Sequence, residues 1–287
     1  MIKCYAIDRQ IVHYHAERYS GKMLYGDLIV LRGIRILVHL SVMLCGLWLF
    51  RFPDTVYGFD WSVSEIHYQY GNLKQPFLRA ESGTSVITFQ HASGWRFGDN
   101  FLFFDVAVPH DGKVDYYGEY YGNLSLGKIT GIDLAIGPVK DLGMLMGINW
   151  APESGVRKYL PGMRIAWDVP GFAFLNSDFT AYIDDSSARI QETDSFMVDI
   201  NGRYPFELLN SRFSIEGHIE YIGERQNPFG VVHAWLFYQI QFRYDLGHRL
   251  LGRPQKLFIG TEWQYWSNKF GTRVNENVFQ ALLVWRL

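Results

Sequence analysis

Cysteine is nearly absent from these 287 residues: Cys4 and Cys45 both fall within the first fifty, and the rest of the chain has none. A disulfide framework therefore cannot hold the larger part of the molecule together. Basic clusters are missing too. With 27 Lys/Arg against 29 Asp/Glu and a formal net charge of −2, the chain lacks the electrostatic footprint of a nucleic-acid binder. Repeated apolar runs of about twenty residues, which a helical membrane bundle requires, do not occur. No glycine-rich loop precedes a helix to cradle phosphate, because Gly143 and Gly147 sit inside an alternating pattern. The histidines His67, His91, His110, His218, His233 and His248 show no ligand spacing, so neither a metal nor another cofactor is expected.

Aromatic residues, in contrast, are abundant: 9 Trp, 18 Tyr and 21 Phe make up 17% of the chain, against 20% charged residues. That excludes disorder. The one apolar stretch, Ile36 to Phe50 (ILVHLSVMLCGLWLF), follows Arg32 and Arg35, the order of a secretory signal peptide. Residues 1–58 are accordingly expected to be an N-terminal extension and signal peptide with its apolar core at 36–50. Cleavage is placed near Gly58, with a retained anchor reaching back to Leu28 as the alternative. The remaining residues, 59–287, carry 20 Lys/Arg and 25 Asp/Glu. An exported chain of that length without cysteine needs another source of stability, and a closed hydrogen-bonded barrel supplies one.

Period-two alternation recurs in segments of about ten residues separated by turn formers, the pattern of half-buried strands. From Arg212 to Ile222, the residues Phe213, Ile215, Gly217, Ile219 and Tyr221 oppose Arg212, Ser214, Glu216, His218 and Glu220 without exception. A helix would mix the two sets. Val232 to Tyr244, Leu142 to Trp150 and Met163 to Val169 read the same way. Strands are predicted near 61–71, 85–93, 99–107, 115–126, 131–136 merging into 142–150, 162–169, 172–183, 195–204, 211–223, 232–245, 256–266 and 276–287. About twelve antiparallel strands in one all-β domain suit a transmembrane β-barrel better than a soluble sandwich. The last segment supports this: Asn277, Phe279, Ala281, Leu283, Trp285 and Leu287 share one apolar face. The excess of Tyr and Trp fits the girdles at the two membrane interfaces.

The segment Tyr120 to Trp150, YYGNLSLGKITGIDLAIGPVKDLGMLMGINW, resembles the Tsx-type nucleoside-specific channel family, most closely over Leu124 to Asp141. Gln90 to Pro109 and Tyr159 to Ile183 extend the resemblance to about a third of the chain. It implies a monomeric, porin-like barrel of the bacterial outer membrane with twelve strands and a narrow pore, passing nucleosides by facilitated diffusion. The partners expected are nucleosides or similar small polar solutes and outer-membrane lipid, with phages or bacteriocins as users of the loops. No nucleic-acid polymer is expected.

A nucleoside presents a base that stacks on aromatic rings and hydroxyls that want charged or amide partners. Strand parity places Phe101, Phe103, Asp105, Tyr117, Glu119, Arg164, Asp168, Asp178, Glu216, Trp235, Gln239, Arg243 and Glu262 on the inward face as candidate substrate-binding residues. A salt-bridge lattice that only stiffens the lumen is the alternative for each charge. Two other classes stand beside the channel: a barrel acting as a lipid-modifying enzyme, and a closed surface receptor. Ser214, Glu216 and His218 have the residue types of a nucleophilic triad, yet side chains two apart on a strand run parallel and are not expected to bond. No catalytic residue and no enzyme activity are expected.

Overall fold

The computed structural model describes residues 59–77, 80–110, 112–187 and 189–287; the expected signal peptide and its cleavage site lie outside them. Strands β1 (Trp61–Gln75), β2 (Ala80–Trp95), β3 (Gly98–Pro109), β4 (Asp115–Ser125), β5 (Val139–Ala151), β6 (Val156–Trp167), β7 (Phe174–Asp184), β8 (Ser195–Leu208) and β9 (Ser211–Ile222) follow one another. A short hairpin, β10 (Arg225–Asn227) and β11 (Gly230–Val232), precedes β12 (Trp235–Asp245), β13 (Leu257–Ser267) and β14 (Glu276–Arg286). Twelve of these form one closed antiparallel barrel, in which β9 pairs with β12 and β14 returns to β1. The β10–β11 hairpin stands outside the barrel sheet.

We call the end of the barrel that holds the start of β1 and the finish of β14 the terminal end, and the opposite one the far end. Closure leaves no edge in the barrel sheet, so each barrel strand has two hydrogen-bonding neighbours. The alternation expected from sequence sets the faces. On β14, Phe279, Leu283 and Trp285 are exposed while Gln280, Leu282 and Val284 are buried. On β5, Met144, Met146 and Trp150 are exposed while Leu145 and Asn149 are buried. Among the described residues, buried polar and charged side chains outnumber buried hydrophobic ones. The barrel is thus inverted relative to a water-soluble domain.

Three departures from the sequence reading have physical causes. Residues 131–136 are not a strand: Ser125 caps the helical turn Leu126–Thr130, accepting from the Lys128 amide at 3.0 Å, and β5 begins only at Val139. Asp141 fixes that turn, accepting from the Gly127 amide at 3.0 Å and from the Ser125 hydroxyl. Strand β6 starts at Val156, six residues earlier than expected, and runs through Pro161. Proline cannot donate to a ladder, and the pairing of β6 with β7 skips from Tyr159↔Ile183 to Gly162↔Thr180 around it. Gly217, read as an ordinary member of an apolar face, has φ of +145°, and a Cβ there would meet the Gln239 carbonyl oxygen at 1.9 Å.

Candidate functional site

The lumen is built by the inward residues of all twelve strands, and its two ends differ in chemistry. Toward the terminal end, arginines tie distant strands together. Arg164 on β6 grips Asp178 on β7 through two bonds of 2.7 Å and reaches Asp99 on β3 at 2.8 Å. Arg243 on β12 reaches Glu65 on β1 at 2.9 Å, and the same carboxylate accepts from Arg286 on β14 at 2.8 Å. Bidentate arginine–carboxylate pairing of this kind is short and directional. His67 completes the Glu65 cluster at 3.0 Å.

Farther in, amides and hydroxyls line the wall. Glu262 accepts from the Gln239, Gln241 and Gln280 amides at 2.9, 2.7 and 2.8 Å, and from Gln69 at 3.4 Å. Tyr117 and Tyr121 both donate to Glu119, the second at 2.8 Å. Thr88 donates to Asp105 at 2.6 Å. Beside this polar wall run aromatic rings: Phe103 lies 6.1 Å from Phe101 and 6.0 Å from Tyr117 between centroids.

Toward the far end, rings dominate. Phe237 stacks on Trp266 at 4.0 Å, with Trp235 edge-on to the same indole at 6.0 Å. Cations from the connections above the barrel sheet lie on aromatic faces: Arg225 of the β10–β11 hairpin sits 4.2 Å above Trp235 and 5.1 Å from Tyr182, and Lys269 sits 5.4 Å from Phe270. Glu192 holds both Arg225 and Lys158 at 2.8 Å, and Lys158 also pairs with Asp184. Lys269, in the loop between β13 and β14, is bonded to Glu276 at 2.6 Å, yet burial pushes its ammonium below the usual lysine range.

Of the thirteen candidates from sequence, Phe103, Asp105, Tyr117, Glu119, Arg164, Asp178, Trp235, Gln239, Arg243 and Glu262 are buried, while Phe101 and Glu216 are half-buried. All twelve point inward. Asp168 does not belong with them: β6 ends at Trp167, and Asp168 is exposed in the terminal-end turn, where its amide donates to the Pro138 carbonyl at 2.8 Å. Parity cannot be carried past the last strand residue.

The supposed triad dissolves in another way than spacing suggested. Ser214 does bond Glu216, at 2.7 Å, because a long side chain leans along the strand to reach its same-face neighbour. Glu119 and Glu65 do likewise. His218, however, directs its nitrogens to Asp199 at 2.7 Å and Gln239 at 3.5 Å. Among the described residues, no group of three or more His, Cys, Asp or Glu is placed to hold a metal ion.

Sequence reasoning passed over Glu65 and His67, although the alternation through β1 marks them; Lys158 lies in the half of β6 before Pro161, and Arg225 and Lys269, from the β10–β11 hairpin and the β13–β14 loop, carry no local signal. A closed antiparallel barrel with an even strand number, apolar outside and polar within, defines a transmembrane β-barrel of the bacterial outer membrane.

No protein-family model matches the chain, and no curated protein matches it. Among solved structures, the KdgM porin is similar at 11% identity and TM-score 0.44, over 77% of this chain and 98% of that one. The KdgM porin in complex with disordered oligogalacturonate is similar at 9% identity and TM-score 0.44, over 78% and 98%. An outer-membrane channel from Pseudomonas putida F1 is similar at 8% identity and TM-score 0.45, over 83% and 98%.

Proposed function

We propose that this barrel is an outer-membrane channel through which nucleosides diffuse without energy coupling. The observation that carries the reading is the lumen wall itself. Phe101, Phe103 and Tyr117 offer rings to a base, Glu119 stands beside them, and Gln239 and Glu262 face the same lumen from β12 and β13 to meet ribose hydroxyls. Stacking on such rings is worth about 1–3 kcal/mol per base. The resemblance to Tsx-type channels points the same way, although Leu124 to Asp141 folds into a terminal-end turn, so its contribution is to the frame and not to the solute.

The test is uptake of labelled nucleosides and sugars into liposomes holding the purified, refolded protein. Saturable nucleoside flux, reduced in Phe103→Ala and Trp235→Ala, is the expected result. Equal flux of nucleosides and sugars would make the barrel a general pore. The layer of Trp235, Trp266 and Arg225 across the far end favours a closed surface receptor as the second reading, and absence of flux for every solute would establish it.

A further inference from the structure

The outer wall holds a hollow that the lumen does not explain. Its volume is about 440 Å³, and Tyr68, Phe242, Tyr244, Ile259 and Leu283 stand around the small residues Gly260, Thr261 and Ala281. That size falls within the range of small-ligand sites. Register explains the shape: one row across four strands runs Phe242, Thr261, Ala281, Tyr70, and the next runs Tyr244, Ile259, Leu283, Tyr68. Two small side chains between tall aromatic ones leave a trough in the lipid-facing surface. Gly260, on the inward face between Ile259 and Thr261, adds only backbone to the floor.

The trough lies on the strands that one terminal-end loop joins, residues 246–256 between β12 and β13. Its sequence, LGHRLLGRPQK, contains Arg249, Arg253 and Lys256 and no acid. All three cations are exposed, as are Leu250 at 68% and Leu251 at 49%. The loop is pinned: Asp245 accepts from the His248 amide at 2.9 Å and the Gln255 amide at 2.7 Å, and Arg286 donates to the Gln255 side chain at 2.7 Å. The other terminal-end insertion, 126–138, has one lysine and one aspartate, and the lysine is spent on the carbonyls of Trp95 and Gly98 at 2.9 and 3.2 Å. Positive charge with exposed leucine at a membrane surface, next to an apolar trough, is complementary to an anionic lipid: phosphate outside, acyl chain within.

We propose that this face binds one anionic phospholipid of the terminal-end leaflet, with Arg249, Arg253 and Lys256 around its phosphate and an acyl chain in the trough over Thr261 and Ala281. The site does not depend on what the lumen passes. The experiment is native mass spectrometry of the full-length chain, refolded in detergent and offered an equimolar mixture of phosphatidylglycerol and phosphatidylcholine. One retained phosphatidylglycerol per barrel is expected. The triple variant Arg249→Ala, Arg253→Ala, Lys256→Ala should lower that preference about tenfold or more, and Ala281→Phe should weaken retention of both lipids. Arg212→Ala, an arginine at the terminal-end start of β9, should leave the preference unchanged. Equal retention of the two lipids by the native chain, an undiminished preference in the triple variant, or a lipid-free dimer covering the trough would overturn the proposal.

Discussion

The two ends of the lumen handle buried charge in opposite ways. At the terminal end, Arg164 and Arg243 connect strands three places apart in the wall, so Asp99 and Glu65 are ties across the interior. At the far end, Arg225 from the β10–β11 hairpin and Lys269 from the β13–β14 loop rest on Trp235, Tyr182 and Phe270, with Glu192 and Glu276 as counter-ions. One set braces the frame; the other pins connections over the mouth. A tie can be cut only at a cost to the barrel, whereas a pin can be drawn while the barrel stands.

That contrast is broken most severely by Arg164→Ala, which strands Asp178 and Asp99 without their counter-ion. Removing one partner of a buried pair costs about 3–5 kcal/mol, so the unfolding midpoint in urea should drop sharply. A variant unchanged in stability would mean that Arg164 ties nothing. Arg225→Ala should cost less, up to about 2 kcal/mol for a desolvated cation on aromatic faces, and should raise single-channel conductance. Reduced conductance would show that the far-end cation guides solute and does not close the path.

A smaller effect belongs to pH. Because the folded ammonium of Lys269 sits below the lysine range of the unfolded chain, the unfolded state binds more protons between the two values. Stability should therefore rise with pH through that window, and Lys269→Met should flatten the rise; the measurement is thermal unfolding at stepped alkaline pH. The least effect is expected for Ser125→Ala at the terminal-end turn, about 0.5–2 kcal/mol for a lost cap, read from the same urea titration. A larger loss would make that turn a tie in its own right.

Much of this architecture is legible in sequence because a strand's period is two and one face meets lipid. Parity alone directs Phe103, Glu119, Arg243 and Glu262 inward. It fails where the period stops: Asp168 lies one residue beyond β6, and 131–136 alternates within a capped loop. Proline 161 hides the first half of β6. Asp178 lies opposite Arg164 across the β6–β7 hairpin, but the distant partners, Asp99 of Arg164 and Glu65 of Arg243, were beyond reach, since they are set by the curvature of the whole wall and not by neighbours in the chain. The neighbours of Arg225 are equally distant in sequence, Tyr182 on β7 and Glu192 in the connection from β7 to β8.

The seam between β1 and β14 has a kinetic meaning. Glu65 is opposite Arg286 and bonded to it across a separation of 221 residues, and the Leu287 amide donates to the Ser64 carbonyl at 2.9 Å. Contacts so distant form late, because the entropy of closing the whole chain must be met before they repay it. Until Arg286 arrives, both flanks are open edges, able to pair with any other strand that passes. Strand β14 thus acts as the fastener of the sheet, converting a sticky curved ribbon into a sealed wall when it meets β1.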